Sequence, residues 1–121
     1  MKLLGLDHIG IVVRDIDKTV AQAGDTVDGK AVGERFVSDD IDLQVLMAGK
    51  STLELIEVRN AGFGMPRLKD GETAVIGHFA IEVDDLDDAK AELTRQASPW
   101  RARPTPKRSA SSSRCHRRRS A

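Results

Sequence analysis

The sequence predicts an α+β protein of two βαβββ modules, the second of them incomplete. The segment LDHIGIVVRDID at 6–17 returns as IGHFAIEVDDLD at 76–87, and five of the twelve aligned positions are identical. Such a gapless match is typical of an internal duplication. Each copy also alternates apolar and other residues and then changes to helical spacing. A chain of 121 residues suits one domain or two small half-domains.

Each copy predicts a strand followed by a helix. Apolar residues lie on one face of each strand: Ile9, Ile11, Val13, and Phe79, Ile81, Val83. The opposite face carries His8 in the first copy and His78 in the second. An aspartate suited to cap a helix follows at Asp15 and at Asp85, and apolar residues then recur at helical spacing.

Three further strands are predicted in the first module. Glycines at 24, 29 and 33 interrupt the chain after the first helix, and strand patterns follow at 34–38, 41–48 and 51–58. The last two read as a hairpin that turns at Gly49 and Lys50. Residues 1–58 therefore form the first βαβββ module, with Glu54 on the strand face opposite Leu53 and Leu55.

The second module begins with its strand and helix at 76–97, after an inter-module connection at 59–75. Residues 98–121 contain 8 of the 19 Lys and Arg and none of the 19 acidic residues. Such a segment cannot bury enough apolar surface to offset its ordering entropy, so we expect a basic, disordered tail. The counterpart of the 51–58 strand falls beyond the last residue. An alternative explanation of the basic segment is that a frame shift has replaced the natural C-terminus.

Composition also bears on location and partners. The sequence has no long apolar run and no signal-peptide pattern, so a cytoplasmic protein without membrane contact is expected. The single cysteine, Cys115, cannot form an internal disulfide. The basic tail lacks the interleaved aromatic residues of nucleic-acid binding segments, so nucleic acid is not an expected partner.

His8, Glu54 and His78 are the candidate metal ligands. The two histidines occupy equivalent positions, and they converge if the first strands of the two modules pair about a pseudo-twofold axis. Two imidazoles and a carboxylate suit Zn, Ni, Co, Mn or Fe(II). Two plainer interpretations stay open: each histidine is a hydrogen-bonded structural residue, and Glu54 faces water.

The motifs LDHIGIVVRDID, STLELIE and GHFAIEVDDLDDAKAEL resemble the vicinal oxygen chelate superfamily over residues 3–96. This superfamily includes glyoxalase I (lactoylglutathione lyase), methylmalonyl-CoA epimerase, extradiol dioxygenases and bleomycin resistance proteins. The resemblance implies a sheet curled around a divalent metal that His8, Glu54 and His78 ligate. It also implies a small-molecule substrate.

The resemblance further implies metal-assisted proton transfer beside a carbonyl, with Glu54 as the catalytic residue. The family's fourth ligand is a glutamate on the last strand, and its counterpart falls near position 124, past the last residue of this sequence. A dioxygenase depends on that glutamate and is therefore disfavoured. Two alternatives remain: a non-catalytic, resistance-type binding protein, and an inactive fragment. A missing set of strands exposes a sheet edge, which favours a homodimer.

Overall fold

The computed structural model describes residues 1–60, 65–98, 100–104 and 115–120. The chain forms two compact units: a larger unit, His8–Gly77, and a smaller unit made of Met1–Asp7 and His78–Ser120. The elements are β1 (Leu3–Val13), α1 (Ile16–Val27), β2 (Lys30–Val37), β3 (Ile41–Ala48), β4 (Ser51–Val58), β5 (Ala74–Val83), α2 (Leu86–Arg95), β6 (Trp100–Pro104) and β7 (Cys115–Ser120). The predicted α+β class is confirmed. Neither helix of the described residues is long and apolar enough to span a membrane.

The larger unit contains the sheet order β2-β3-β4-β1. Strands β2, β3 and β4 are successively antiparallel, whereas β1 pairs with β4 in parallel, with Gly10 opposite Glu54. The bounds of β3 and β4 agree with the predicted hairpin, and Gly49 at φ +60° supplies the left-handed turn residue. The parallel β1–β4 pair brings the first and last strands of the module side by side.

Two details of the first module differ from the prediction. Strand β2 begins at Lys30 rather than at residue 34, because Gly33 lies inside the strand at φ +74°. The register shifts between Val32 and Phe36, so this glycine belongs to a bulge instead of ending the strand. Gly24, also expected to interrupt the chain, lies within α1, which continues to Val27.

The core of the larger unit lies between the sheet and α1. Its buried members are Val13, Ile16, Leu46 and Leu55, with Ile11, Val20, Ala23 and Leu53 packed against them. The odd-numbered residues of β1 and β4 therefore face the helix, as the alternation predicted. The even-numbered residues, which include His8 and Glu54, lie on the other face of the same strands.

Asp15 caps the N-terminus of α1. Its backbone is extended and its carboxylate accepts from the Lys18 N–H at 3.0 Å. We expect Asp15→Ala to lower the free energy of unfolding by about 1 kcal/mol, because a helix N–H loses its acceptor. Urea unfolding measures the change. Asp25→Ala, an exposed position in the same helix, is the control; an equal loss in both variants would contradict a capping role.

The smaller unit contains β5 from His78 onward, α2, β6 and β7, with the three strands in the order β5-β7-β6. Both pairings are antiparallel. Asp85 caps α2, which buries Ala89 and Leu93, and the rings of Phe79 and Trp100 meet edge to face at 5.3 Å. The described residues from β5 onward thus form βαββ, whereas residues 1–58 form βαβββ.

Strands β6 and β7 fall within residues 98–121, for which the composition predicts disorder. At these two stretches the structure differs from that expectation, because β7 forms a backbone ladder with both β5 and β6. Backbone pairing does not depend on a segment's apolar content, which is the property that the prediction used. Residues 99, 105–114 and 121 of the predicted tail lie outside the described residues.

Stability is expected to fall in acid. The Lys2 backbone N–H lowers the pKa of Asp84, and the Arg95 guanidinium lowers the pKa of Glu92. Carboxyls with a lowered folded-state pKa stabilise the protein above their unfolded pKa of about 4, and this contribution is lost as the pH falls through the folded pKa. The urea midpoint should therefore drop between about pH 5 and pH 2. Asp84→Asn should make that drop smaller; an unchanged pH profile would contradict the assignment.

Candidate metal centre

His8 and Glu54 meet on the sheet face that turns away from α1. The parallel register places Gly10 opposite Glu54, so His8 is the diagonal neighbour of Glu54 on that face. The His8 Nε2 and Glu54 Oε2 atoms are 3.3 Å apart. Both residues are buried, with 3% and 6% of their surface exposed. The structure thus brings together two of the three predicted ligands.

Two apolar residues neighbour Glu54 on the sheet. Glu54 lies opposite Val45 on β3, and Ile56, two residues further along β4, is buried. A buried carboxylate needs a hydrogen bond, a counter-charge or a metal, since removal from water disfavours its ionised form. The adjacent imidazole meets this need when it carries a proton. A divalent cation that takes the place of that proton meets it as well.

The separation of the two side chains fits shared coordination. Nitrogen and oxygen ligands lie about 2.0–2.2 Å from a zinc-like metal, so neighbouring ligand atoms are roughly 3.0–3.5 Å apart. The observed 3.3 Å between His8 Nε2 and Glu54 Oε2 falls inside that range. Imidazole and carboxylate together suit a borderline divalent ion better than a soft or an alkaline-earth ion. The residues therefore fit the metal that the resemblance implies.

His78 belongs to the smaller unit. It is buried on β5, with 6% of its surface exposed, and its Cα lies opposite Ser120 of β7. It holds the position in the second copy of the repeat that His8 holds in the first. Its participation in the same centre stays a prediction.

A fourth, acidic ligand has no source in the basic segment. Residues 98–121 contain no aspartate or glutamate, so neither β6 nor β7 carries a carboxylate side chain. The topology differs as well, because β7 runs antiparallel to β5 whereas β4 runs parallel to β1. The second copy therefore lacks an equivalent of Glu54 among its described strands.

An arginine-lined pocket was not anticipated from the sequence. Its volume is about 280 Å³, and it lies in the larger unit beside the ends of β1 and β4. The lining residues are Val12, Val13, Arg14, Glu57, Val58, Arg59, Pro66, Arg67 and Leu68. The sequence does contain a signal for it: each of the two strands ends in a valine that an arginine follows, at 13–14 and at 58–59. In a parallel pair, equivalent strand ends lie at the same edge of the sheet.

A βαβββ module with a histidine on its first strand and a glutamate on its last is the arrangement of a glyoxalase-like protein. The family model of the glyoxalase/bleomycin resistance protein/dioxygenase superfamily matches residues 7–112, and the chain belongs to this superfamily. Members of this superfamily bind small molecules and typically use a divalent metal. No curated protein matches the chain.

Two solved structures share the fold. Methylmalonyl-CoA epimerase from Mycobacterium tuberculosis is 23% identical, with a TM-score of 0.67 over 94% of this chain and 77% of that one. A glutamate-to-glutamine variant of the Streptomyces coelicolor epimerase, in complex with 2-nitronate-propionyl-CoA, is 23% identical, with a TM-score of 0.65 over 95% of this chain and 86% of that one. At this identity the similarity shows a common fold.

Proposed function

We propose that the chain binds a divalent metal through His8, Glu54 and His78 and catalyses proton transfer beside a carbonyl of a small oxygenated substrate. The observation that carries the proposal is the buried His8–Glu54 pair, with its 3.3 Å separation between Nε2 and Oε2. His78 supports it as the equivalent residue of the second copy. All three residues are buried and of types that ligate divalent metals.

The three residues would have different roles in the reaction. A bound divalent ion supplies Lewis-acid polarisation of two adjacent substrate oxygens. The imidazoles of His8 and His78 would hold that ion. The Glu54 carboxylate would accept the proton from the carbon next to the carbonyl. Delivery of that proton to the carbonyl carbon would isomerise a 2-oxo compound, whereas delivery to the opposite face of the same carbon would epimerise a thioester. Burial of Glu54 keeps water from competing for the proton and strengthens the local electrostatics.

The face that carries Glu54 suits a substrate with a short aliphatic part. Val45 lies opposite Glu54 and Leu43 lies opposite Ile56, and Val32 and Phe36 of β2 continue this row. Phe36 is 57% exposed, so apolar surface two strands away from Glu54 is open to a ligand. We therefore propose a 2-oxo, hydroxycarbonyl or thioester compound, of the kind that lactoylglutathione lyase or methylmalonyl-CoA epimerase uses.

Hydrogen–deuterium exchange tests the proposal directly. Full-length protein loaded with Ni, Co, Zn or Mn is incubated in D₂O with methylmalonyl-CoA, or with the glutathione hemithioacetal of methylglyoxal. Proton NMR then follows the signal of the hydrogen next to the carbonyl. We expect that signal to disappear faster with loaded than with metal-stripped protein. If loaded and metal-stripped protein exchanged this hydrogen at equal rates, with both substrates and every metal, the proposed activity would be contradicted.

The absence of acidic residues from 98–121 favours one second candidate. Without a second carboxylate at the metal, the same centre could bind a substrate-like anion and release it unchanged. The chain would then be a resistance-type binding protein that sequesters a small molecule. Calorimetric binding of the two substrates above, with no exchange of the hydrogen next to the carbonyl, would identify this function. A homodimer in which a partner supplies the carboxylate would instead restore exchange, and its rate would rise with protein concentration.

A further inference from the structure

We infer that the arginine-lined pocket at the ends of β1 and β4 is a binding subsite for an anionic group, a phosphate or a carboxylate. Arg14 and Arg59 directly follow the last residues of these two strands. The parallel pairing of β1 and β4 sets both arginines at the same edge of the sheet. Arg67, from the segment after β4, lines the same pocket.

The charge of the pocket is positive within an acidic body. Three arginines and one glutamate line it. All 19 acidic residues of the chain lie within residues 1–97, where they outnumber the Lys and Arg. The one lining carboxylate, Glu57, accepts from the Ile16 backbone N–H at 3.2 Å. The lining residues thus carry a net positive charge, opposite in sign to the net charge of residues 1–97, and a positive site raises the local concentration of anions.

Two of the arginines are held in place, Arg14 by hydrogen bonds to carbonyls and Arg59 by an ion pair. Arg14 donates from Nε to the Glu72 carbonyl at 3.1 Å and from one terminal nitrogen to the Lys69 carbonyl at 3.0 Å. Neutral carbonyls orient the guanidinium and leave its positive charge uncompensated. Arg59 is anchored at one nitrogen by the buried carboxylate of Asp42, and half of its side chain is exposed. Fixed guanidinium groups bind oxyanions at a lower entropic cost than mobile ones.

Size and lining agree with a small anion on a short linker. The volume of about 280 Å³ is at the lower end of ligand pockets in general. Val12, Val13, Val58, Pro66 and Leu68 provide apolar walls. An apolar wall lowers the local dielectric constant, so an ion pair formed there is stronger than at an open surface. A phosphate or carboxylate with a few attached atoms matches this combination.

The position of the pocket also indicates the class of substrate, an inference that rests on the proposed function. Val12 and Val58 lie four residues beyond His8 and Glu54 along β1 and β4, and on the same strand faces. Four residues of a strand span roughly 13 Å. An extended substrate could therefore place its reacting carbon at the His8–Glu54 pair and its anionic group among the arginines. We infer a carbonyl compound with a phosphate or carboxylate roughly 13 Å from the reacting carbon.

Phosphate titration of metal-stripped, full-length protein tests the subsite without reference to catalysis. Inorganic phosphate and acetate are titrated separately at constant ionic strength while ¹H–¹⁵N NMR follows the amides of 12–14, 57–59, 65, 67 and 68. We expect saturable shifts confined to these amides and to the arginine side chains. Arg67→Gln should weaken binding about tenfold, because a charge-assisted hydrogen bond is lost. The probe that binds more tightly, phosphate or acetate, indicates whether the subsite prefers a phosphate or a carboxylate group.

Two controls decide the result. Arg95→Gln removes an arginine that is 70% exposed on α2 and should leave phosphate binding unchanged. His78→Ala should also bind phosphate normally while it loses metal, which separates failure of this subsite from failure of the proposed function. Shifts spread over the whole surface, or an equal weakening in Arg67→Gln and Arg95→Gln, would overturn the inference. In the deuterium-exchange assay, Arg67→Gln should raise KM for an anionic substrate and leave kcat unchanged.

Discussion

Replacing Glu54 with glutamine is expected to abolish metal-dependent exchange of the hydrogen next to the carbonyl, with a fall in rate of about 10²–10⁴-fold. The side chain keeps its size, so packing is preserved on the face of β4 that turns away from α1. It loses the negative charge that would balance the cation and the basic oxygen that would accept the proton. Calorimetry and the exchange assay on the same sample should show metal affinity and exchange rate falling together.

Glu57→Gln is the matched control for this experiment. Glu57 lies on the same strand but on the helix-facing side, and its glutamine form still offers an oxygen to the Ile16 N–H. We expect this variant to keep both metal affinity and exchange. If Glu54→Gln retained the full exchange rate, Glu54 would be neither base nor ligand, and the proposed mechanism would be wrong.

Leu55→Ala is expected to lower the free energy of unfolding by about 3–4 kcal/mol. Leu55 is 1% exposed and packs with Val13, Ile16 and Leu46 beneath α1. Its truncation removes buried apolar surface and leaves a cavity that the sheet and helix cannot close fully. Urea unfolding followed by circular dichroism measures the change in the whole chain.

Val37→Ala is the reference for this effect, because Val37 is 59% exposed at the end of β2. Its substitution should change the free energy of unfolding by less than about 0.5 kcal/mol. A loss of under about 1 kcal/mol in Leu55→Ala would show that the helix–sheet core is loosely packed. That result would also undermine the precise placement of Glu54, the neighbour of Leu55 on β4.

The first module could be predicted from the sequence because its signals are local. The 41–48 and 51–58 strands flank a glycine with the left-handed backbone that a hairpin requires. Gly33 misled the prediction, since a glycine that ends a strand and a glycine that forms a bulge have the same local pattern. Strands β6 and β7 could not be predicted from composition, because the pairing of β7 with β5 and with β6 depends on backbone contacts at long range.

The candidate site was partly predictable for a related reason. Period-two alternation places His8 and Glu54 on the face opposite the core, and the parallel β1–β4 register brings them together. The arginine pocket was missed because a charged residue after a strand is usually a solvated one. Its meaning depends on knowing that β1 and β4 are parallel neighbours, so that both Val-Arg ends meet at one edge.

Metal binding by the histidine variants tests the central claim most directly. Calorimetric titration of Ni, Co, Zn and Mn into the wild type, His8→Ala, His78→Ala and His116→Ala compares every histidine of the sequence. We predict saturable binding by the wild type and by His116→Ala, and its loss in both His8→Ala and His78→Ala. If His78→Ala bound each metal as tightly as the wild type, the two copies of the repeat would not share a metal, and the proposed centre would be wrong.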